Sequence, residues 1–316
     1  MSDRRVSVGI PIHNEEDVLP TLIARVLAVL DTTPGGPHEL LLVDDGSRDG
    51  SCRVMEEAAH RDPRVAVVVL SRNFGHQAAV SAAFDHALGD VLLVMDGDLQ
   101  DPPEALPMLL ARLDEGFDVV YVRRTHRKES WWLRMSYHVA YRMIARLSRL
   151  ALPVDAGDFA LLSRRALDAV RALPERQRYL RGLRSWVGFR QTGVAVERDA
   201  RAGGVSKYSL RRLIGLALDG AFAFSTAPLR FIGILGGLTL AGSVLFSLFA
   251  LFAKFFLGRS PQGFTALTVL VTMTGGMLLL SLWIIGEYVG RIYEEVKHRP
   301  IYLVDRIVGG PRRPDA

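Results

Sequence analysis

One cysteine, Cys52, stands in 316 residues, so the chain can form no intrachain disulfide and no multi-cysteine metal site. A reducing compartment fits that count. The polar Met1–Arg5 leads straight into a short apolar run, so no signal peptide is expected. No Gly-x-Gly-x-x-Gly follows the first apolar run, which excludes a dinucleotide-binding dehydrogenase. Internal repeats are absent, and low complexity is confined to the tail Pro311–Ala316. Charged residues make up 23%, enough to exclude a disordered chain.

Charge is missing in two places. Phe231–Ala253 carries none for 23 positions and Ser260–Gly286 none for 27, while mean hydropathy over the chain is +0.18. About 20 helical residues cross the roughly 30 Å hydrocarbon layer. The spacing therefore predicts two transmembrane helices, about 231–253 and 264–286, joined by the turn formers Gly258–Gly263. A hairpin leaves both outer ends on one side. Arg211, Arg212 and Arg230 precede it and Arg291, Lys297 and Arg299 follow it, so those ends are expected in the cytoplasm.

The first 208 residues read as a separate domain. Apolar runs at Val6–Ile10, Leu40–Val43, Val65–Leu70, Val91–Met95 and Val119–Val122 alternate with helical patterns. One of these is Val18–Leu30, with Leu19, Leu22, Ile23, Val26, Leu27 and Leu30 on one face. Continuous apolar strands between helices predict an α/β fold with a mostly parallel sheet covered on both faces. Ligands of such sheets bind beyond the carboxyl ends of the strands.

Those ends are acidic: His13-Asn14-Glu15-Glu16, then Asp44-Asp45-Gly46-Ser47, then Asp96-Gly97-Asp98-Leu99-Gln100-Asp101. Each alone reads as a turn or a helix cap. Three on one sheet edge concentrate carboxylates at a cost that a divalent cation or a hydrogen-bonding ligand can offset. Asp96 and Asp98, two apart, face one side of an extended segment and suit Mg²⁺ or Mn²⁺, with a nucleoside diphosphate completing the shell. Arg123, Arg201 and Lys207 are candidates for the remaining phosphate charge, the last two in the glycine-containing loop 201–208.

Residues 131–150 place Arg134, His138, Arg142, Arg146 and Arg149 on one helical stripe, opposite Trp132, Met135, Val139, Met143 and Leu147. That pattern predicts an interfacial helix, and 209–228 a second one leading into the first span. Arg127 and Lys128, just before the first helix, are candidates for an anionic lipid headgroup. The pI of about 9.5 does not indicate nucleic acid, because the basic residues cluster near this surface.

PIHNEE, LLVDDGSRDGS, LSRNFGHQAAV, VMDGDLQDPPE, DAGDFALLSRRAL and GGVSKYSL, followed by two apolar runs, resemble the family 2 glycosyltransferases that load sugars onto polyprenyl phosphate. The likeness runs from about Val6 to Val304. It implies a GT-A domain over 1–208, the interfacial helix 209–228, the hairpin within 229–290 and a cytoplasmic tail 291–316. It also implies a UDP- or GDP-sugar donor, a polyprenyl phosphate acceptor in the inner membrane, Mg²⁺ or Mn²⁺, and one inverting displacement. A two-span hairpin would pack better in a homo-oligomer.

By position, the resemblance puts Pro11, His13, Glu15, Val43 and Asp45 at the base and ribose, with His13 where many members have Tyr. Asp96, Gly97, Asp98 and Gln100 match the metal and diphosphate motif, with Asp96, Asp98 and Gln100 as ligands. Arg123, Arg201 and Lys207 match phosphate contacts, and Asp158 a position proposed as catalytic base. Two positions depart from the pattern: Ala160 replaces an Arg common in relatives, and Val205 a polar residue. A phosphate acceptor is largely ionised at pH 7, so Asp158 is expected to orient groups or support the metal rather than take a proton. Two alternatives stay open. A processive polysaccharide synthase normally carries Gln-x-x-Arg-Trp, but Gln177 is followed by Arg178-Tyr179-Leu180. Against an inactive membrane scaffold of the same fold stand the intact Asp96, Asp98, Arg201 and Lys207, whereas Ala160 and Val205 leave it open.

Overall fold

The computed structural model describes residues 3–124, 156–176, 178–196, 227–256 and 263–311. They form two units. In the α/β unit, strands β1 (Val6–Ile12), β2 (Glu39–Asp44), β3 (Val65–Leu70) and β4 (Val91–Val94) are buried at every position. Such continuous burial requires helices on both faces. The intervening helices are α1 (Leu19–Thr32), α2 (Ser51–Arg61) and α3 (His76–His86). After β4 come α4 (Leu106–Asp114), β5 (Val119–Arg124), β6 (Ala156–Ser163), α5 (Arg164–Arg171), α6 (Leu180–Trp186) and β7 (Gln191–Val196).

The sheet order is β7-β5-β6-β4-β1-β2-β3-β8, where β8 is Val304–Gly309. The β1–β2, β1–β4, β2–β3 and β5–β7 pairs are parallel; β4–β6, β5–β6 and β3–β8 are antiparallel. The mostly parallel α/β sheet expected from the sequence is present, and its antiparallel members come from segments where no strand was expected. Asp158 lies inside one of them, β6. The chain also re-enters the sheet after the long helices, through β8.

Two packing details position the crevice. On α1, Leu19, Leu22, Ile23, Val26 and Leu30 are buried, the i, i+3, i+4 stripe of the sequence. The face of α3 is made of small residues, Ala78, Ala79, Ser81, Ala82 and Ala83, all buried. Opposite it, β1 has Gly9, where a Cβ would lie 3.0 Å from that of Ala83. Small against small lets α3 lie close on the sheet, so its first residue, His76, stands at the edge where β1–β4 end.

The helical unit contains α7 (Ala227–Phe256) and α8 (Gly263–Val296). The Thr239 hydroxyl reaches the Met277 sulfur at 2.7 Å, joining the two helices. Among the described residues one stretch is long and apolar enough to cross a membrane, Met273–Val296; Ile232–Phe246 is apolar but shorter. The two expected spans thus correspond to two helices, of which one meets that criterion. The expected interfacial helix 131–150, nearly all of 209–228, and Arg127, Lys128, Arg201 and Lys207 lie outside the described residues.

Candidate active site

The crevice edge is held by backbone-to-side-chain bonds between successive loops. Asn14, at φ 56°, accepts from the Arg48 N–H at 2.8 Å through its side-chain oxygen, and its own N–H donates to the Ser47 hydroxyl at 3.1 Å. Asn is among the few non-glycine residues that adopt this left-handed backbone readily. His13 Nδ1 lies 3.0 Å from the Asp45 carbonyl and Asn14 Nδ2 lies 3.1 Å from Nε2, which fits a proton on Nδ1. The Asp45 carboxylate accepts from the N–H groups of Phe74 (2.7 Å) and Gly75 (3.0 Å), tying the end of β2 to the loop after β3. Burial raises its pKa, and the two N–H donors offset only part of the rise. Pro11 pairs with Val43 in the β1–β2 ladder, both buried, and the Glu15 carbonyl accepts from the N–H groups of Val18 and Leu19.

The loop after β4 is constrained more tightly. A Cβ on Gly97 would fall 2.6 Å from Ile12 Cδ1, so a side chain here would have to displace the end of Ile12 where the loop lies against β1. Leu99 has φ 59°, a conformation that costs a non-glycine residue of order 1–3 kcal/mol. Within this turn the Gln100 N–H donates to the Asp98 carboxylate at 3.2 Å. Backbone strain therefore sits between two of the residues expected to hold a metal.

Asp96, two residues before Asp98, stands beside the first residue of α3. It lies 3.7 Å from His76 Nε2, which is 3.6 Å from Asp158. Ligand atoms of His76, Asp96 and Asp158 all fall within 4.8 Å of one another. Such a group of ligand atoms could hold a metal ion. Asp158 has a second commitment: Arg181 on α6 donates to its two oxygens at 2.7 and 2.9 Å. Burial favours the neutral acid, but Arg181 and His76 outweigh it and hold the carboxyl far below its ordinary range. For His76 burial opposes the charge, and the carboxylates of Asp158 and Asp96 more than reverse that. Behind the pair, buried Arg184 donates to the Gly157 carbonyl at 3.3 Å and lies over the Tyr121 ring; burial pulls its pKa down to about 10.

Of the residues expected from the sequence, the structure brings Asp96 and Asp158 into one cluster and keeps Asp98 and Gln100 on the adjoining turn. Arg123, exposed at the end of β5, lies over Gly193 of β7. His76, Arg181 and Arg184 were not singled out in the sequence. The only signal for His76 was its place in the LSRNFGHQAAV segment; a basic helix such as α6 carries no signal of its own.

Residues 7–171 match the model of glycosyl transferase family 2, and the chain belongs to that family: it is a glycosyltransferase. It is 40% identical over 304 residues to YkcC of Bacillus subtilis (strain 168), an uncharacterized glycosyltransferase, covering 96% of this chain and 94% of that one. It is 34% identical over 301 residues to the bactoprenol glucosyl transferase of Shigella phage SfV, covering 95% and 98%. An undecaprenyl-phosphate 4-deoxy-4-formamido-L-arabinose transferase of Proteus mirabilis (strain HI4320) is 34% identical over 312 residues, covering 96% and 94%.

Proposed function

We propose that this enzyme transfers a sugar, with inversion, from a UDP- or GDP-sugar to undecaprenyl phosphate at the cytoplasmic face of the inner membrane. The observation that carries the reading is the state of Asp158. With both oxygens accepting from Arg181 and its pKa held low, it is a poor proton acceptor. A hydroxyl acceptor would need a base here. A phosphate monoester, with its second pKa near 6, arrives ionised at pH 7 and needs none. The names of the relatives, bactoprenol glucosyl transferase and undecaprenyl-phosphate transferase, point to the same acceptor over nearly the full length.

In this reading Asp96, Asp98 and Gln100 hold Mg²⁺ or Mn²⁺, whose oxygen preference they meet. The bound ion would neutralise charge on the departing nucleoside diphosphate. The protein's own groups do the rest. Pro11, His13, Glu15, Val43 and Asp45 are assigned to the nucleoside, and Arg123, Arg201 and Lys207 to the phosphates. Arg181 fixes Asp158, and the strained turn at Leu99 holds Asp98 and Gln100 before substrate arrives.

The acceptor's phosphate sits at a bilayer surface, so the crevice must be held there. Large apolar side chains stand exposed along both long helices, among them Leu238, Leu245, Phe249, Leu279 and Leu282. Such faces call for lipid, and supply the anchor if α7 and α8 cross as a pair, with Arg127 and Lys128 gathering the lipid phosphate. The test is a screen of UDP- and GDP-sugars with undecaprenyl phosphate and Mg²⁺ or Mn²⁺, read by the mass of the lipid product. Nucleotide release without a glycosylated lipid would refute the proposed acceptor.

A further inference from the structure

Strand β8 pairs antiparallel with β3, with Val69 opposite Arg306 and Leu70 opposite Val304; the register shifts at this end. The Ser71 N–H donates to the Leu303 carbonyl at 2.9 Å, extending the contact past the strand. The carboxyl end of β3 borders the crevice, and antiparallel pairing brings the beginning of β8 to the same edge. Asp305 and Arg306 thus line a cavity of about 810 Å³ together with His13, Asn14, Asp44 and Asn73. That volume is of the size that ligand pockets have.

Arg306 is fixed in place. Its Nε and Nη2 donate to one Glu56 oxygen at 3.0 and 2.8 Å, and its Nη1 to Asp305 at 2.6 Å. A guanidinium binds phosphate through its fork of N–H groups, and here the fork is committed to carboxylates. A guanidinium so engaged keeps a planar face, which can stack on an aromatic ring.

We propose that β8 forms the outer wall of the donor's nucleoside pocket, with the Arg306 face stacking on the base and the Asp305 carboxylate accepting from a base N–H. The inference rests on the nucleotide-sugar reading above and deepens it. Residues that follow the long helices in sequence would then take part in choosing the nucleotide.

Binding of UDP and of GDP, each with Mn²⁺, to the purified full-length protein in detergent tests this by calorimetry. Arg306→Ala is expected to weaken the better nucleotide about 10-fold while the KM for undecaprenyl phosphate stays unchanged. Arg306→Lys, which keeps the charge and loses the plane, is expected to bind as weakly as Arg306→Ala. Arg306→Tyr is expected to recover most of the affinity. Asp305→Asn is expected to narrow the difference between UDP and GDP. If Arg306→Ala loses its fold, the Lys and Tyr variants decide: equal affinities for those two overturn stacking. Unchanged nucleotide affinity in Arg306→Ala overturns the wall itself, as does an equal rise in the lipid KM. A wild-type protein that binds neither nucleotide refutes the donor reading, and this inference with it.

Discussion

Arg181 holds Asp158 through two hydrogen bonds, 2.7 and 2.9 Å, from neighbouring nitrogens of one guanidinium. The side chain of Asp158 is 13% exposed and that of Arg181 27%, so solvent screens this pair little on the aspartate side. A fork-to-fork pair of this kind fixes direction as well as charge. It makes the carboxylate a fixed acceptor rather than a group that trades protons.

Asp158→Asn should therefore lower kcat by about 100-fold, the scale on which a mispositioned group near the chemistry is felt. The shape of the pH–rate profile between pH 6 and 9 should persist. Steady-state rates across that range check it. A variant that loses the limb on the acid side together with its activity would instead identify Asp158 as the base.

His76 gives a stability prediction whose sign follows from its raised pKa. A group that gains protons on folding adds stability that is fully present below its ordinary value of 6.5 and is lost as pH rises through the higher folded value. His76→Gln should thus destabilise the protein at pH 6 and do so much less at pH 9. The imidazole is 45% exposed, so the effect is screened and small. Thermal melting in EDTA at both pH values reads it, and an equal loss at the two would contradict the assignment.

How far the sequence disclosed this site depended on the kind of signal each residue carries. Strands β1–β4 were legible from their short, largely apolar runs, and Asp96 because acidic residues clustered at their ends. Strand β8 was not: every residue but one is exposed, so no buried face marks it. Its place in the sheet comes from the antiparallel ladder with β3, a tertiary fact. The meeting of His76 with Asp96 and Asp158 is likewise tertiary. It depends on the close approach of α3 that Gly9 and Ala83 permit, and the three residues span 83 positions of chain. Arg181 became visible only when α6 was placed beside β6.

The metal assignment is tested on Asp98. Asp98→Ala should need a higher Mg²⁺ or Mn²⁺ concentration for half-maximal rate, by about 10-fold or more, since losing even an outer-shell partner of a metal costs about 10–100-fold in affinity. Titration of activity against each ion, beside Mn²⁺ binding in the presence of UDP, provides the measurement. Wild-type behaviour at limiting metal would remove Asp98 from the ligand set.

The acceptor site should separate from the donor site in kinetics. Arg127→Glu with Lys128→Glu replaces two positive charges beside the predicted interfacial segment. Each basic residue near an anionic membrane surface contributes about 1 kcal/mol. The KM for undecaprenyl phosphate should rise at least 10-fold while the KM for the nucleotide-sugar changes less than 2-fold, this estimate resting on the same charge–surface attraction. Equal rises in both would place these residues on the donor side or in the fold.

Whether both long helices cross the bilayer is decided by the turn between them. Cys52 makes that experiment simple: burial, with Asp44 and Glu56 nearby, pushes its thiol up to about 11, so the native cysteine reacts slowly at neutral pH. Ser260→Cys places a second cysteine between α7 and α8 in the sequence. If the helices form a transmembrane hairpin, an impermeant maleimide added to intact cells should label Ser260→Cys, and a cysteine placed by Ser2→Cys should stay unlabelled until the membrane is opened. Labelling of both only after lysis would mean that the pair does not cross. The enzyme would then reach its lipid substrate from one face, with the exposed apolar residues of α7 and α8 lying along the bilayer instead of through it.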